Sequence, residues 1–269
     1  MPQKERGFVF VRDDKEKSKI VYMPEPEIIF ENDDFLVIDK PAGLLVHGVR
    51  VGARRRADAA RAGKARGEEP TLVDWLLARH PEIKNVGDDP SLRPGIVHRL
   101  DKATSGVMLV AKTQASFERL KKLFQEHRMR KTYFALVWGV PKNKKGTIDA
   151  PIGIKNGSLK RSVHSSKMAK PAVTEYFVVE DLGDRALLRE NPLTGRTHQI
   201  RVHLASIGHP IVGDALYGKK PPRGSTSPHD AVLPPRLMLH AAALAFSDDG
   251  GNGFEFEAPL PSDFTYPQR

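Results

Sequence analysis

The segment His98–Lys112 constrains this chain more tightly than any other. His98, Arg99, Leu100 and Asp101 place two basic side chains and a carboxylate within four residues. The small, polar Thr104-Ser105-Gly106 then leads directly into the apolar run Val107-Met108-Leu109-Val110-Ala111. Such an order predicts a charged loop held against the start of a buried strand, which is a good way to fix one carboxylate rigidly. The bland alternative is a surface Arg/Asp pair beside an edge strand, where an ion pair contributes little.

Bulk properties narrow the chemistry. With 269 residues, 39% of them hydrophobic, the chain can bury a substantial core as one large domain or two closely packed lobes. It has no cysteine, which excludes disulfides, thiolate nucleophiles and cysteine-based zinc sites. No stretch approaches the roughly 20 apolar residues of a membrane span, and the polar start MPQKERG is no secretory signal, so a soluble cytoplasmic protein is expected. The formal charge of +10 points to a polyanionic partner. Much of it sits between Arg50 and Arg66, where seven basic residues, among them Arg54, Arg55 and Arg56, face the single acid Asp58. This Ala- and Gly-rich insert (residues 49–69) lacks large apolar side chains. It reads as a mobile basic arm that attracts phosphates without reading sequence, or as a solvated loop that aids solubility.

Short strands alternate with a few helices. Phe8–Val11 and Ile20–Tyr22 flank a charged turn and predict a hairpin, an N-terminal extension over residues 1–25. Strands are expected at Ile28–Phe30, Phe35–Ile38, Tyr133–Val137, Thr174–Glu180, Ala186–Arg189, Leu239–Phe246 and Phe254–Ala258, with a turn at Lys40–Gly43. Thr71 and Asp74 mark a capping-box start for a helix over Thr71–His80 that Pro81 stops. Gln114–His127 predicts a second helix with Phe117, Leu120, Leu123 and Phe124 on one face. No internal repeat appears, and the fold class expected is α+β with a mixed, largely antiparallel sheet and flanking helices.

A second informative segment runs from Gly195 to Gly218. Thr197 is placed to cap a helix in which Ile200, Leu204 and Ile207 share a face, with Gly208 and Pro210 ending it. Arg201 falls at the edge of that apolar stripe, where its stem can pack while its guanidinium enters a cleft. His198 and His203, five apart, lie on different helix faces and lack the acid that a helical zinc motif requires. They and His209 read as structural hydrogen-bonders or phosphate contacts rather than metal ligands.

These segments together resemble the RluA family of pseudouridine synthases, enzymes that isomerise uridine in structured RNA. The resemblance rests on HRLD followed by TSG and an apolar run at His98–Lys112, Lys-x-Tyr at Lys131-Thr132-Tyr133, and HQIRVH at His198–His203. It also includes Leu-His-Ala at Leu239–Ala241 and the entry phrase DKPAGLLVH at Asp39–His47. It spans about Pro26 to Pro261, in the family's order.

The resemblance implies a catalytic domain over residues 26–269 with a central catalytic cleft. It assigns Asp101 as the catalytic aspartate and Tyr133 as the aromatic that packs on the target base. Arg201 becomes the cation paired with Asp101, Leu239 the apolar wall, and Arg99, beside His98, the side chain that fills the space left by a flipped base. The small RNA-binding domain that many relatives carry N-terminally is expected to be missing, with the basic insert in its place.

The chemistry suits these residue types. Breaking the glycosidic bond, turning uracil over and rejoining it at C5 needs one ionised carboxylate and neither metal nor cofactor. A nearby Arg201 would favour the charged form of Asp101, and a stacked tyrosine would hold an extruded pyrimidine. The expected partner is structured RNA, ribosomal first and transfer RNA second, acted on by a monomer without membrane attachment. Two other readings stay open: an RNA-binding or ribosome-assembly protein without chemistry, and a non-RNA carboxylate enzyme such as a glycosidase, which would need a second acid.

Overall fold

The computed structural model describes residues 7–12, 19–48, 69–155, 160–218 and 236–264. The arm at Arg50–Arg66, including Arg54, Arg55 and Arg56, lies outside the described residues. The chain divides into two compact units, the first reaching to Lys102 and adding Met108–Phe124, the second made of Ala103–Val107 and everything from Gln125 onward.

In the first unit, β1 (Gly7–Arg12) and β2 (Lys19–Pro24) form the expected antiparallel hairpin. Strand β3 (Glu27–Glu31) pairs antiparallel with β4 (Phe35–Lys40), next to which runs the end of β5 (Ser105–Ala111). Phe35, Leu36, Val37 and Ile38 are all buried, as is every residue of β5, so these strands are covered on both faces. Helix α1 (Leu72–Arg79) starts at the expected capping box: Thr71 Oγ accepts the Asp74 N–H and Asp74 accepts the Thr71 N–H. A 3-10 turn at Pro81–Asn85 follows. Helix α2 (Gln114–Gln125) buries Phe117, Leu120 and Leu123; it stops short of the expected end because His127 adopts a left-handed conformation (φ 57°).

In the second unit the strands lie in the order β5, β12 (Leu239–Ser247), β6 (Arg130–Trp138), β11 (Arg185–Pro192), β10 (Val173–Asp181) and β7 (Lys145–Asp149), with β13 (Gly253–Glu257) also beside β12. Pairing is antiparallel except between β5 and β12, which run parallel. The fold class is thus α+β with a mixed, mostly antiparallel sheet. Strand β7 and the short hairpin of β8 (Gly153–Ile154) and β9 (Arg161–Ser162) were not expected, because their sequences are Lys- and Gly-rich and carry almost no apolar alternation.

Helix α3 (Gln199–Ser206) packs Ile200 and Leu204 into a core with Leu136, Leu188, Met238 and Leu239. Two expectations are corrected here. Thr197 does not cap α3: the preceding residue, His198, is left-handed (φ 59°) and makes no side-chain cap. Gln199 ties down this end instead, accepting from Arg196 N–H and Thr194 Oγ and donating to Val173 O and Thr174 Oγ. Ile207 is 39% exposed rather than part of the buried face, because the helix ends before it and Gly208 (φ +89°) turns the chain away.

Gly106 sits where β5 meets β12, with φ +116° and an added Cβ placed 2.1 Å from the Ala241 carbonyl oxygen. Gly106→Ala combines backbone strain with overlap that only strand separation relieves. A stability loss of about 3 kcal/mol or more is expected in urea unfolding; a midpoint equal to wild type would refute this close approach.

Candidate active site

The loop carrying Asp101 is pinned on both sides within the first unit. Upstream, the backbone N–H of Leu109 on β5 donates to His98 Nε2 at 2.9 Å, so that nitrogen is unprotonated, and the ring stacks on Phe124 at 4.5 Å. Downstream, the Lys102 carbonyl accepts from Gly43 N–H (2.8 Å) and from the ammonium of Lys40 (3.3 Å). Lys40 is fully buried and also donates to the carbonyls of Pro41 and Leu44, so three backbone oxygens stand in for its water. Between these anchors Asp101 is half-buried. Arg99 is exposed and donates to His47 Nε2 at 2.9 Å, while His47 Nδ1–H donates to Gly48 O. Burial first, then the charges of Arg99 and Arg93, lower the His47 pKa against the opposing Gly48 bond and Asp89, keeping the ring a neutral acceptor.

In the second unit, β6 and β12 set Tyr133 and Leu239 on one face. Leu239 faces Ala135 and Tyr133 faces Ala241, and residues two apart on a strand point the same way. Leu239 is 4% exposed, and the half-buried Tyr133 packs against the core that holds it. Across β11 the partner of Tyr133 is Glu190, which is fully buried, with no hydrogen-bond partner for either carboxyl oxygen among the described residues. Burial drives its pKa well above the usual carboxylate range. Lys131, two residues before Tyr133, donates to Thr194 O, and burial followed by the Arg196 charge lowers its pKa to about 8. A cavity of about 750 Å³ lined by Phe134, Arg189 and Asn191 opens on the other face of these strands and touches none of the assigned site residues.

Arg201 is 7% exposed on α3 and forms a bidentate pair with Asp214, Nε to Oδ2 at 2.8 Å and Nη2 to Oδ1 at 2.9 Å. Asp214, whose side chain is wholly buried, also accepts the N–H groups of Leu216 and Tyr217. Burial alone would raise its pKa; the Arg201 bond and charge, with the two backbone donors, outweigh it and bring the pKa below 3.8. The guanidinium also lies 5.2 Å from the Tyr217 ring centroid. Sequence reasoning assigned this cation to Asp101 and gave Asp214 no role. The remaining signal was a lone acid in the turn phrase VGD after a helix with one arginine, too common to single out.

The other histidines hold structure. His203 bonds Thr174 Oγ and Ala150 O, His209 bonds Trp138 O, and His198 bonds the Tyr217 hydroxyl. His240, fully buried on β12, accepts from Ser105 Oγ at 2.9 Å and donates to Ala258 O, tying the TSG turn to the late Leu-His-Ala motif.

Two pH effects follow. Burial, foremost, lowers the His240 pKa to about 4, against about 6.5 when unfolded. The unfolded chain therefore takes the proton first, and stability is present above pH 6.5 and falls toward pH 4, by up to about 1.4 kcal/mol per unit. A His240→Asn variant should lose this slope in urea titrations; an unchanged slope would refute the assignment. Asp214, with a depressed native pKa, contributes stability above about pH 4 that is lost as the pH falls through the native value. Asp214→Ala leaves a buried guanidinium unpaired and is expected to cost about 3–5 kcal/mol at pH 7, measured by the same method.

Comparison with known proteins matches this arrangement to one family. A model of RNA pseudouridylate synthases matches residues 34–206. The chain is 42% identical over 245 residues to ribosomal large subunit pseudouridine synthase D of Nitrosomonas europaea, covering 88% of this chain and 62% of that protein. It is 39% identical over 247 residues to the protein of the same name from Pseudomonas aeruginosa, covering 90% and 70%. The chain thus spans less than two thirds of the length of the Nitrosomonas relative. Among solved structures, human RNA pseudouridylate synthase domain containing 1 is similar with a TM-score of 0.63 and 30% identity over 87% of this chain and 83% of that one. Human domain containing 4 gives a TM-score of 0.64 and 26% identity over 88% and 90%. This chain belongs to the RNA pseudouridylate synthase family.

Proposed function

We propose that this protein isomerises specific uridines to pseudouridine in ribosomal RNA of the large subunit, with Asp101 as the catalytic carboxylate. The observation that carries the reading is the double anchoring of the Asp101 loop, at His98 and at the Lys102 carbonyl. A surface loop has no need of a buried lysine and a histidine to hold one carboxylate still. The names of the Nitrosomonas and Pseudomonas relatives favour ribosomal over transfer RNA.

In this reading the ionised Asp101 either attacks C1′ of the target nucleotide or removes a proton from its sugar. Either step cleaves the bond to uracil N1. The freed base turns and its C5 bonds to C1′, which expels the Asp101 carboxylate from C1′ in the first route or is accompanied by return of the sugar proton from Asp101 in the second. The C5 proton then leaves, and N1 finishes protonated. Arg201, its guanidinium plane fixed by Asp214, is the oriented cation of the site. Tyr133 packs on the uracil, a contact worth about 1–3 kcal/mol, and Leu239 closes the apolar wall. Arg99 occupies the space of the flipped base, while His98 holds the loop from behind. Residues 26–269 form the catalytic part and residues 1–25 a hairpin extension, and Arg54, Arg55 and Arg56 add phosphate attraction. The protein works as a cytoplasmic monomer without cofactor or metal. No helix among the described residues is long and apolar enough to cross a membrane.

The test is Asp101→Asn on large-subunit RNA transcripts, with pseudouridine mapped by chemical labelling and RNA affinity measured in parallel. Affinity within about threefold of wild type and loss of product by at least about a thousandfold are expected. Equal product from the variant removes Asp101 from catalysis, and product only on transfer RNA transfers the substrate assignment. Arg201→Lys keeps the charge but not the planar fork, and should retain less than about a tenth of the rate.

A further inference from the structure

Tyr217 contacts four residues of the second unit: Asp214, Arg201, His198 and Arg161. Its backbone N–H donates to Asp214 Oδ1 at 3.1 Å, and its ring carries the Arg201 guanidinium. Its hydroxyl bonds His198 Nδ1 at 2.8 Å and accepts the backbone N–H of Arg161 at 2.9 Å. Arg161 opens β9, paired with β8. The base of that hairpin packs Val163 and Tyr217 against Ile152, Ala172 and Val202.

The hairpin has an unusual charge. No acid occurs between Asp149 and Glu175, while Lys155, Lys160, Arg161, Lys167 and Lys170 fall in that span. Lys160, His164, Lys167 and Lys170 are exposed. A run of one sign on and beside this strand pair fits a phosphate backbone, which is bound by charge and released by salt. A tyrosine half-buried for packing alone would not need both its ring and its hydroxyl engaged.

We infer that Tyr217 is a positioning residue that joins the basic β8–β9 hairpin, as an RNA-backbone contact, to the orientation of Arg201. The ring acts on the guanidinium and the hydroxyl acts on the hairpin. The inference rests on the pseudouridine synthase reading and adds to it a docking surface and its link to the site. RNA seated on the hairpin holds Arg161 N–H against the hydroxyl, and the same side chain then confines the cation to one plane.

The two halves of the side chain separate by substitution. Tyr217→Phe keeps the ring and loses the hydroxyl, whereas Tyr217→Leu loses both. With large-subunit RNA transcripts labelled with tritium at uridine C5, tritium release at saturating RNA gives the rate, and filter binding across KCl concentrations gives affinity and salt slope.

Tyr217→Phe should weaken RNA binding about fivefold, the worth of one hydrogen bond, and lower the saturated rate by no more than about threefold. Tyr217→Leu should lower that rate at least about thirtyfold, so that phenylalanine rescues most of what leucine loses. A Lys160→Gln/Lys167→Gln double variant should weaken binding and reduce the salt slope by about two, and its effect should shrink when Tyr217→Phe is added. Wild-type affinity in Tyr217→Phe, a wild-type salt slope in the lysine variant, or equal rates for phenylalanine and leucine each overturn the inference. Should Tyr217→Leu fail to fold, the affinity of Tyr217→Phe and the lysine pair still decide it. Absence of tritium release from the wild type would instead remove the pseudouridine reading and leave the binding arms intact.

Discussion

The buried pair of Arg201 and Asp214 is the interaction on which the order around helix α3 in the second unit depends. Withdrawing a guanidinium and a carboxylate from water costs several kcal/mol for each ion, and only good geometry with further hydrogen bonds offsets it. Here two parallel N–H···O bonds, two backbone donors and an aromatic face do so together. The result is a cation whose plane and position are set by helix α3 and by the turn at Asp214–Tyr217. Flexible lysine chemistry could not reproduce that fixed fork.

The first unit solves a matching problem for an anion. A short loop with a charged residue would ordinarily fluctuate, because its backbone polar groups find water as easily as protein. The loop at Asp101 instead gives the Lys102 carbonyl to a buried ammonium and a glycine N–H, and its His98 imidazole accepts a backbone N–H of β5. Each unit thus immobilises one charge with means local to itself.

How much of this was legible depends on whether the signal was local. The apolar runs of β4, β5 and β12 and the capping box at Thr71 announce themselves in a few consecutive residues, and the structure places them as read. The strand β7 and the β8–β9 hairpin do not, because charged and glycine residues are held there by pairing with β10 and by loop bonds. The end of α3 misled for a similar reason: Thr197 is the right residue type for a cap, yet Gln199 reaches Val173 and Thr174, 26 and 25 positions away, and fixes the helix start from there. Lys40, Glu190 and Asp214 look in sequence like ordinary surface charges. Their importance comes from burial, which no spacing reveals.

Glu190 gives the pH response of this protein a second sign. Its native pKa lies above the unfolded value of about 4.3, so as the medium turns less acidic the unfolded chain sheds the proton before the folded one can. Alkaline drift therefore favours unfolding through Glu190, whereas acid drift favours it through His240 and Asp214. Three side chains in one unit thus set the folded state between opposing titrations, the one at Glu190 arising because a carboxyl is buried beside the aromatic on β6.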